Sequence, residues 1–184
     1  MKLDAREIEQ SLVPADMPCK STQSCELKGN RWYVQNYCNE KELHVSPNNI
    51  HESIYLENCC GSNIYVDSKV NAVEFSKCSG CNVFLPDVIS SVSLVHCTNV
   101  KIQLNGACGT VVADHCDGVT AYLVGEESKK CQFHTSHYNN VKIIVDDREL
   151  VIPNLWLTTF CPTKKTIKTV PHGMECDAIQ TMNE

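Results

Sequence analysis

The sequence predicts an all-β chain: a right-handed parallel β-helix (solenoid) of about six coils with a C-terminal β-hairpin. Three observations predict it. Cys59, Cys78, Cys97 and Cys116 recur at intervals of 19 residues. Around each of them apolar residues return at fixed offsets and alternate with polar ones, the period-two signature of strands. A separate apolar stretch follows Pro153, where the repeat has ended.

Taken in order, residues 1–24 form an N-terminal extension with one candidate helix, capped by Asp4 with Glu7 three residues on, before Pro14 and Pro18. The solenoid is expected over residues 25–152. Ile54, Val73, Val92 and Val111 stand five residues before the Cys of their unit, and Leu56, Phe75, Leu94 and Ala113 three before it. Ile64, Val83, Ile102 and Ala121 stand five after it, and Val66, Leu85, Leu104 and Leu123 seven after it. Val70, Ile89 and Cys108 begin a third segment eleven residues after the first three cysteines. Gly61, Gly80, Asn99 and Gly118 follow the cysteines at the corner, where a left-handed backbone suits them. Such a unit cannot bury its apolar side alone and must stack on its copies.

Both ends of the repeat are degenerate. Cys38 is read as heading the first coil, with Leu43 and Val45 behind it, and Tyr138 replaces the Cys of the last coil. The extra residues before Tyr138 are expected between Gly125 and Lys130. A leucine-rich repeat is the competing fold, but it wants Leu two residues after the Cys, and its period usually exceeds this one. Tyr65, Phe84, Gln103 and Tyr122 alternate with inward residues and are expected to form an outward stripe that something covers. After Pro153, residues 155–160 and 166–170 flank a turn at 162–165, a β-hairpin within 153–172 that must pair with an edge or another chain. Residues 173–184 are expected to be a flexible tail.

Composition fits one domain of 184 residues with a net charge of −6, which excludes a nucleic-acid partner needing a basic face. No apolar run suggests a membrane span or a signal-peptide core, so the expected location is the cytoplasm. Thirteen cysteines without a secretory signal read as buried thiols rather than a disulfide framework. Cys78 and Cys81 have redox spacing but straddle a solenoid corner instead of opening a helix. The cysteines also lack standard zinc spacing, and no cofactor, metal or catalytic constellation is expected. His96 and His115, one residue before their cysteines, are expected to stack as a solvated pair.

Residues Glu26 to Asn36, reading ELKGNRWYVQN, resemble the opening strand motif L-E-G-K-K-W-x-V-E-N of the C-terminal domain of cyclase-associated protein. Asp117 to Leu123, DGVTAYL, is similar to that family's D-G-C-H-A-Y-L segment, and the stretch from Val151-Ile152-Pro153 to Thr169-Val170 to its V-P…K-L-V-T-T-V tail. The resemblance implies a non-enzymatic protein that binds monomeric actin, prefers its ADP form and promotes nucleotide exchange. It also implies a cytoskeleton-associated homodimer with exchanged C-terminal hairpins, involving Leu155, Trp156, Leu157, Phe160, Ile167 and Val170. The chain is expected to be a short form without the family's N-terminal regions. The alternative is a relative of tubulin-folding cofactor C acting on a GTPase or tubulin through a surface arginine. Here Arg6, Arg31 and Arg148 all lie outside the repeats from Cys38 to Tyr138. Candidate actin contacts are Lys28, Arg31 and Trp32 in the matched motif, Lys69 and Lys77 on the coils, and Lys164, Lys165 and Lys168 in the tail, where cations steer toward an acidic partner.

Overall fold

The structure, a computed structural model, describes residues 22–146 and 148–152 and the backbone of strands at 156–161, 166–171 and 178–181. The helix expected near Asp4 lies outside the described residues, as do Leu155, Lys164 and Lys165.

β1 (Ser24–Lys28) runs antiparallel to β2 (Arg31–Gln35) and closes the first coil. The repeat then alternates between two sheets: β3 (Leu43–Val45), β4 (Ser53–Glu57), β5 (Asn63–Val66), β6 (Val73–Ser76), β7 (Asn82–Leu85), β8 (Val88–Val95), β9 (Lys101–Leu104), β10 (Cys108–Asp114), β11 (Thr120–Leu123), β12 (Gln132–Ser136) and β13 (Val141–Val145). The even-numbered strands β2 to β12 stack in parallel as one sheet, and the odd-numbered strands β3 to β13 as a second. Six coils result, as the repeat predicts. The registers set Trp32, Ile54, Val73, Val92, Val111 and Phe133 in one inward row, and Val34, Leu56, Phe75, Leu94, Ala113 and Thr135 in another. One continuous core follows from them.

Cys59, Cys78, Cys97 and Cys116 are buried at the corner joining the two sheets. Each of three thiols reaches back one coil: Cys59, Cys78 and Cys116 donate from Sγ to the carbonyls of Val34, Leu56 and Leu94 at 3.6, 3.6 and 3.4 Å. All four side chains are closed off from solvent, so alkylating reagents cannot reach them. These in-phase cysteines are expected to stay unlabelled in native protein and to react only in denaturant. Rapid native labelling of all four would contradict the stacking.

The stacking corrects the first coil. Cys38 bridges to Cys60, and the Cys60 amide donates to the Tyr37 carbonyl, so Tyr37 rather than Cys38 is in phase with Cys59. Tyr37 packs partly buried on the core, and Tyr138 is buried at the other end. A larger side chain thus covers each end of the thiol stack. A second correction concerns Ile89, which is exposed: Val88 is the buried residue bridged to Val70 and paired with Cys108. The cause is an extra residue in β8, where Val88 to Ser91 spans one residue more than its partner stretch Cys108 to Thr110.

The outward stripe is only half open. Tyr65 stacks between His44 and Phe84, with ring centroids 5.1 and 4.6 Å apart. Farther along, Gln103 and Tyr122 are buried, and Tyr122 and Ile144 form a small cluster with Phe84 and Val124 outside the main core. The insertion falls where expected, as a 3-10 turn at Ser128–Lys130.

Antiparallel strands close the last coil. β14 (Arg148–Ile152) lies against β13, and β15 (Trp156–Cys161) lies against β12 with Phe133 opposite Phe160. β16 (Thr166–Pro171) completes the expected hairpin with β15. β17 (Ala178–Thr181) then pairs with β16, in the stretch expected to be a loose tail.

Candidate functional site

Along the first sheet the outward rows read Tyr33, Tyr55, Glu74, Ser93, Val112, His134 and Gln35, Glu57, Ser76, Val95, Asp114, Ser136. This face carries two constellations, one at each end.

The first is built on β1, β2, β4 and β6. Arg31, at the start of β2, places its guanidinium 4.8 Å from the Tyr55 ring centroid and 5.8 Å from that of Tyr33, and it forms an ion pair with Glu74 two coils away. Lys28 holds its Nζ 5.6 Å from the Tyr33 ring and 3.0 Å from Glu26. Tyr33 and Tyr55 meet edge to face at 5.9 Å. A planar guanidinium on aromatic faces is attracted by the ring quadrupoles, about 0.5–1 kcal/mol at an exposed site, and loses little freedom on gaining an acceptor. Arg31 Nε is shielded from solvent and has no acceptor among the described residues. Arg31 and Glu74 line a shallow cleft with Asn30, His51, Ser53, Ile54 and Ala72.

The candidate contacts do not all converge here. Lys28 and Arg31 do. Trp32 faces inward, packing partly buried on the core and donating from Nε1 to Glu52 Oε2 at 2.6 Å, so it seats β2 rather than meeting solvent. Lys77 stands exposed at the corner that ends β6, and Lys69 lies on the turn after β5, 3.6 Å from Asp87. Lys168 lies on β16.

The second constellation went unread in the sequence beyond its first pair. Asn36, Asn58, Lys77, His96, His115 and His137 occupy the same position, one residue before the in-phase corner residue, and all have φ between +45° and +63°. Their amides reach the next coil at five successive corners: Asn36 to Glu57 at 3.0 Å, Asn58 to Ser76, Lys77 to Val95 and His96 to Asp114 at 3.1 Å, and His115 to Ser136 at 3.2 Å. A left-handed conformation costs a residue with a Cβ about 1–2 kcal/mol, least for Asn. Lys and His at such a place gave no signal that a turn rule could catch. The imidazoles follow one another along the row: His96 lies tilted against His115 with ring centroids 5.0 Å apart, and His115 stacks on His137 at 4.5 Å. Asp114 Oδ2 lies 3.0 Å from His115 Nδ1, and its Oδ1 lies 3.3 Å from His137 Nδ1 and accepts from the Ser136 hydroxyl at 2.6 Å. Partial burial pushes the Asp114 carboxyl up, but the Ser136 hydroxyl and the two imidazoles outweigh it and bring its pKa to about 2.

The family model for the adenylate cyclase associated (CAP) C terminal matches residues 21–172. The chain belongs to the cyclase-associated protein C-terminal family. The match takes in all six coils, both constellations and the β15–β16 hairpin. The crystal structure of cyclase-associated protein from Cryptosporidium parvum is similar, with a TM-score of 0.67 at 25% sequence identity, covering 83% of this chain and 96% of that one. C-terminal domains of cyclase-associated proteins bind actin monomers. Among the described residues no helix is long and apolar enough to cross a membrane.

Proposed function

We propose that the protein binds monomeric actin, prefers the ADP-bound form and speeds release of the bound nucleotide, with the Arg31 constellation as a principal contact. The observation that carries the reading is the family match over residues 21–172, which spans this whole face. The Arg31 end supports it locally: a solvent-accessible guanidinium and ammonium mounted on two tyrosines give a rigid cationic and aromatic anchor, the residue types that dominate protein interfaces. Lys77, in the corner row that continues to His96 and His115, and Lys69, Lys164, Lys165 and Lys168 contribute long-range attraction to an acidic partner.

Exchange needs no chemistry from this chain. A partner that binds a looser, nucleotide-releasing form of actin more tightly than the closed form shifts the population toward it by that difference in affinity alone. A stiff sheet face suits the task because it does not adapt equally to both forms. Saturating protein is expected to accelerate loss of a fluorescent nucleotide from ADP-actin. An unaltered release rate would leave sequestration of monomers as the better account.

The working unit proposed is a homodimer. β15 pairs with the edge of β12, and the same antiparallel register made by the hairpin of a second copy would exchange equivalent strands about a two-fold axis. Trp156, Leu157, Phe160, Ile167 and Val170 lie on the two strands concerned. Removing residues 154–184 is expected to yield monomers, and a truncated protein that still sediments as a clean dimer would refute the exchange.

A further inference from the structure

We propose that His115, His137 and Asp114 form a surface site for a divalent transition-metal ion of the zinc class, independent of the actin-facing residues at the other end of the sheet. Three features place it there.

The first is the donor set. One ring nitrogen each of His115 and His137 and one Asp114 carboxylate oxygen all lie within 4.8 Å of one another. Two imidazole nitrogens and one carboxylate oxygen suit zinc, nickel or copper, whereas calcium and magnesium call for oxygen ligands alone.

The second is distance. Tetrahedral zinc, with bonds of about 2.0–2.1 Å, holds neighbouring ligand atoms roughly 3.3–3.4 Å apart. His115 Nδ1 to Asp114 Oδ2 and His137 Nδ1 to Asp114 Oδ1, at 3.0 and 3.3 Å, have this scale, so the carboxylate offers one oxygen toward each imidazole. The remaining separation closes by small rotations about the side-chain torsions, for which the two half-exposed rings leave room. A fourth position opens into the groove lined by His96, Thr98, Asp117 and Asn139.

The third is support. Stacked coils fix the two histidines at one repeat position, each in a left-handed backbone, with φ of +50° and +45°. The His115 amide is tied to the Ser136 carbonyl at 3.2 Å, and the Ser136 hydroxyl orients the Asp114 carboxylate from behind at 2.6 Å. Such outer partners hold ligand geometry before the metal arrives. The rings face the same direction because the repeat makes them do so.

Isothermal titration of the full reduced chain with zinc chloride at neutral pH tests the proposal. One equivalent is expected to bind, with affinity falling about tenfold or more in His137→Gln and in Asp114→Asn and unchanged in His51→Gln, which carries a distant exposed imidazole. On wild-type protein, two-bond proton–nitrogen correlation spectra with zinc are expected to shift the Nδ1 signals of His115 and His137, a readout that needs no variant to fold. Cobalt(II) supplies the control for capture by thiols elsewhere in the chain: its spectrum is expected to lack a thiolate charge-transfer band. Unmoved Nδ1 signals, equal affinity in His137→Gln, or a thiolate band accounting for all bound cobalt would each overturn the site.

Discussion

Replacing Phe75 with Ala is expected to destabilise the protein by about 3–5 kcal/mol, whereas Ser93→Ala, on the next coil but facing outward, should change stability by no more than about 0.5 kcal/mol. Phe75 is fully buried on β6, between Leu56 and Leu94 of the coils on either side. The ring spans the interior of a narrow stack whose coils are fixed at their edges by parallel ladders, so neighbours cannot collapse into the space its removal leaves. A residual cavity then adds to the lost transfer free energy. A solenoid has a further sensitivity: each coil packs its core chiefly on its two neighbours, so a weakened middle coil weakens two interfaces at once. Urea unfolding followed by circular dichroism measures both variants, and equal losses at Phe75 and Ser93 would mean that the inward and outward rows are reversed.

Reversing the charge in Arg31→Glu is expected to weaken actin binding about ten- to a hundredfold while leaving the far-ultraviolet circular dichroism unchanged. The substitution removes the cation from the Tyr33 and Tyr55 faces and leaves Glu74 opposite a second carboxylate. An acidic partner surface would then meet repulsion where it had met a fork of donors. Arg31→Gln separates the two effects, since it removes the charge without adding a repulsive one, and should fall between wild type and Arg31→Glu. Lys130→Glu, on the 3-10 turn and paired with Glu127, changes net charge by the same amount at a remote place and is expected to leave binding unaltered. Equal weakening by Arg31→Glu and Lys130→Glu would reduce the role of Arg31 to general electrostatics.

How much of this was legible in the sequence follows from the repeat. Inward rows were readable because stacking multiplies one pattern: Ile54, Val73, Val92 and Val111 report the same environment four times. Corner residues such as Gly61, Gly80 and Gly118 were readable because a positive φ selects for Gly. The first coil misled because Cys38 sits at the right distance from Leu43, and only the hydrogen bond from Cys60 to the Tyr37 carbonyl sets the phase. Ile89 misled because a bulge is invisible to a fixed offset. Tyr122 is buried in a cluster outside the core, which alternation alone cannot distinguish from an exposed outer residue.

The candidate site was legible only in part. Lys28 and Arg31 were found through a motif, but their mounting on Tyr33 and Tyr55 required the register between β2 and β4. Trp32 belongs to the same motif, yet period two turns it to the opposite side of the strand from Arg31 and Tyr33. His137 escaped the repeat because the insertion between Gly125 and Lys130 moves it out of the 19-residue spacing, although stacking restores it beside His115. Asp114 acquires its role only when β10 and β12 bring Ser136 and His137 against it.

The central claim, that this chain engages monomeric actin through nucleotide-sensitive contacts, is tested most directly by titrating labelled ADP-actin and ATP-actin with the purified protein. The account predicts saturable binding to both with a tighter dissociation constant for ADP-actin. Absence of saturable binding to either form would contradict it.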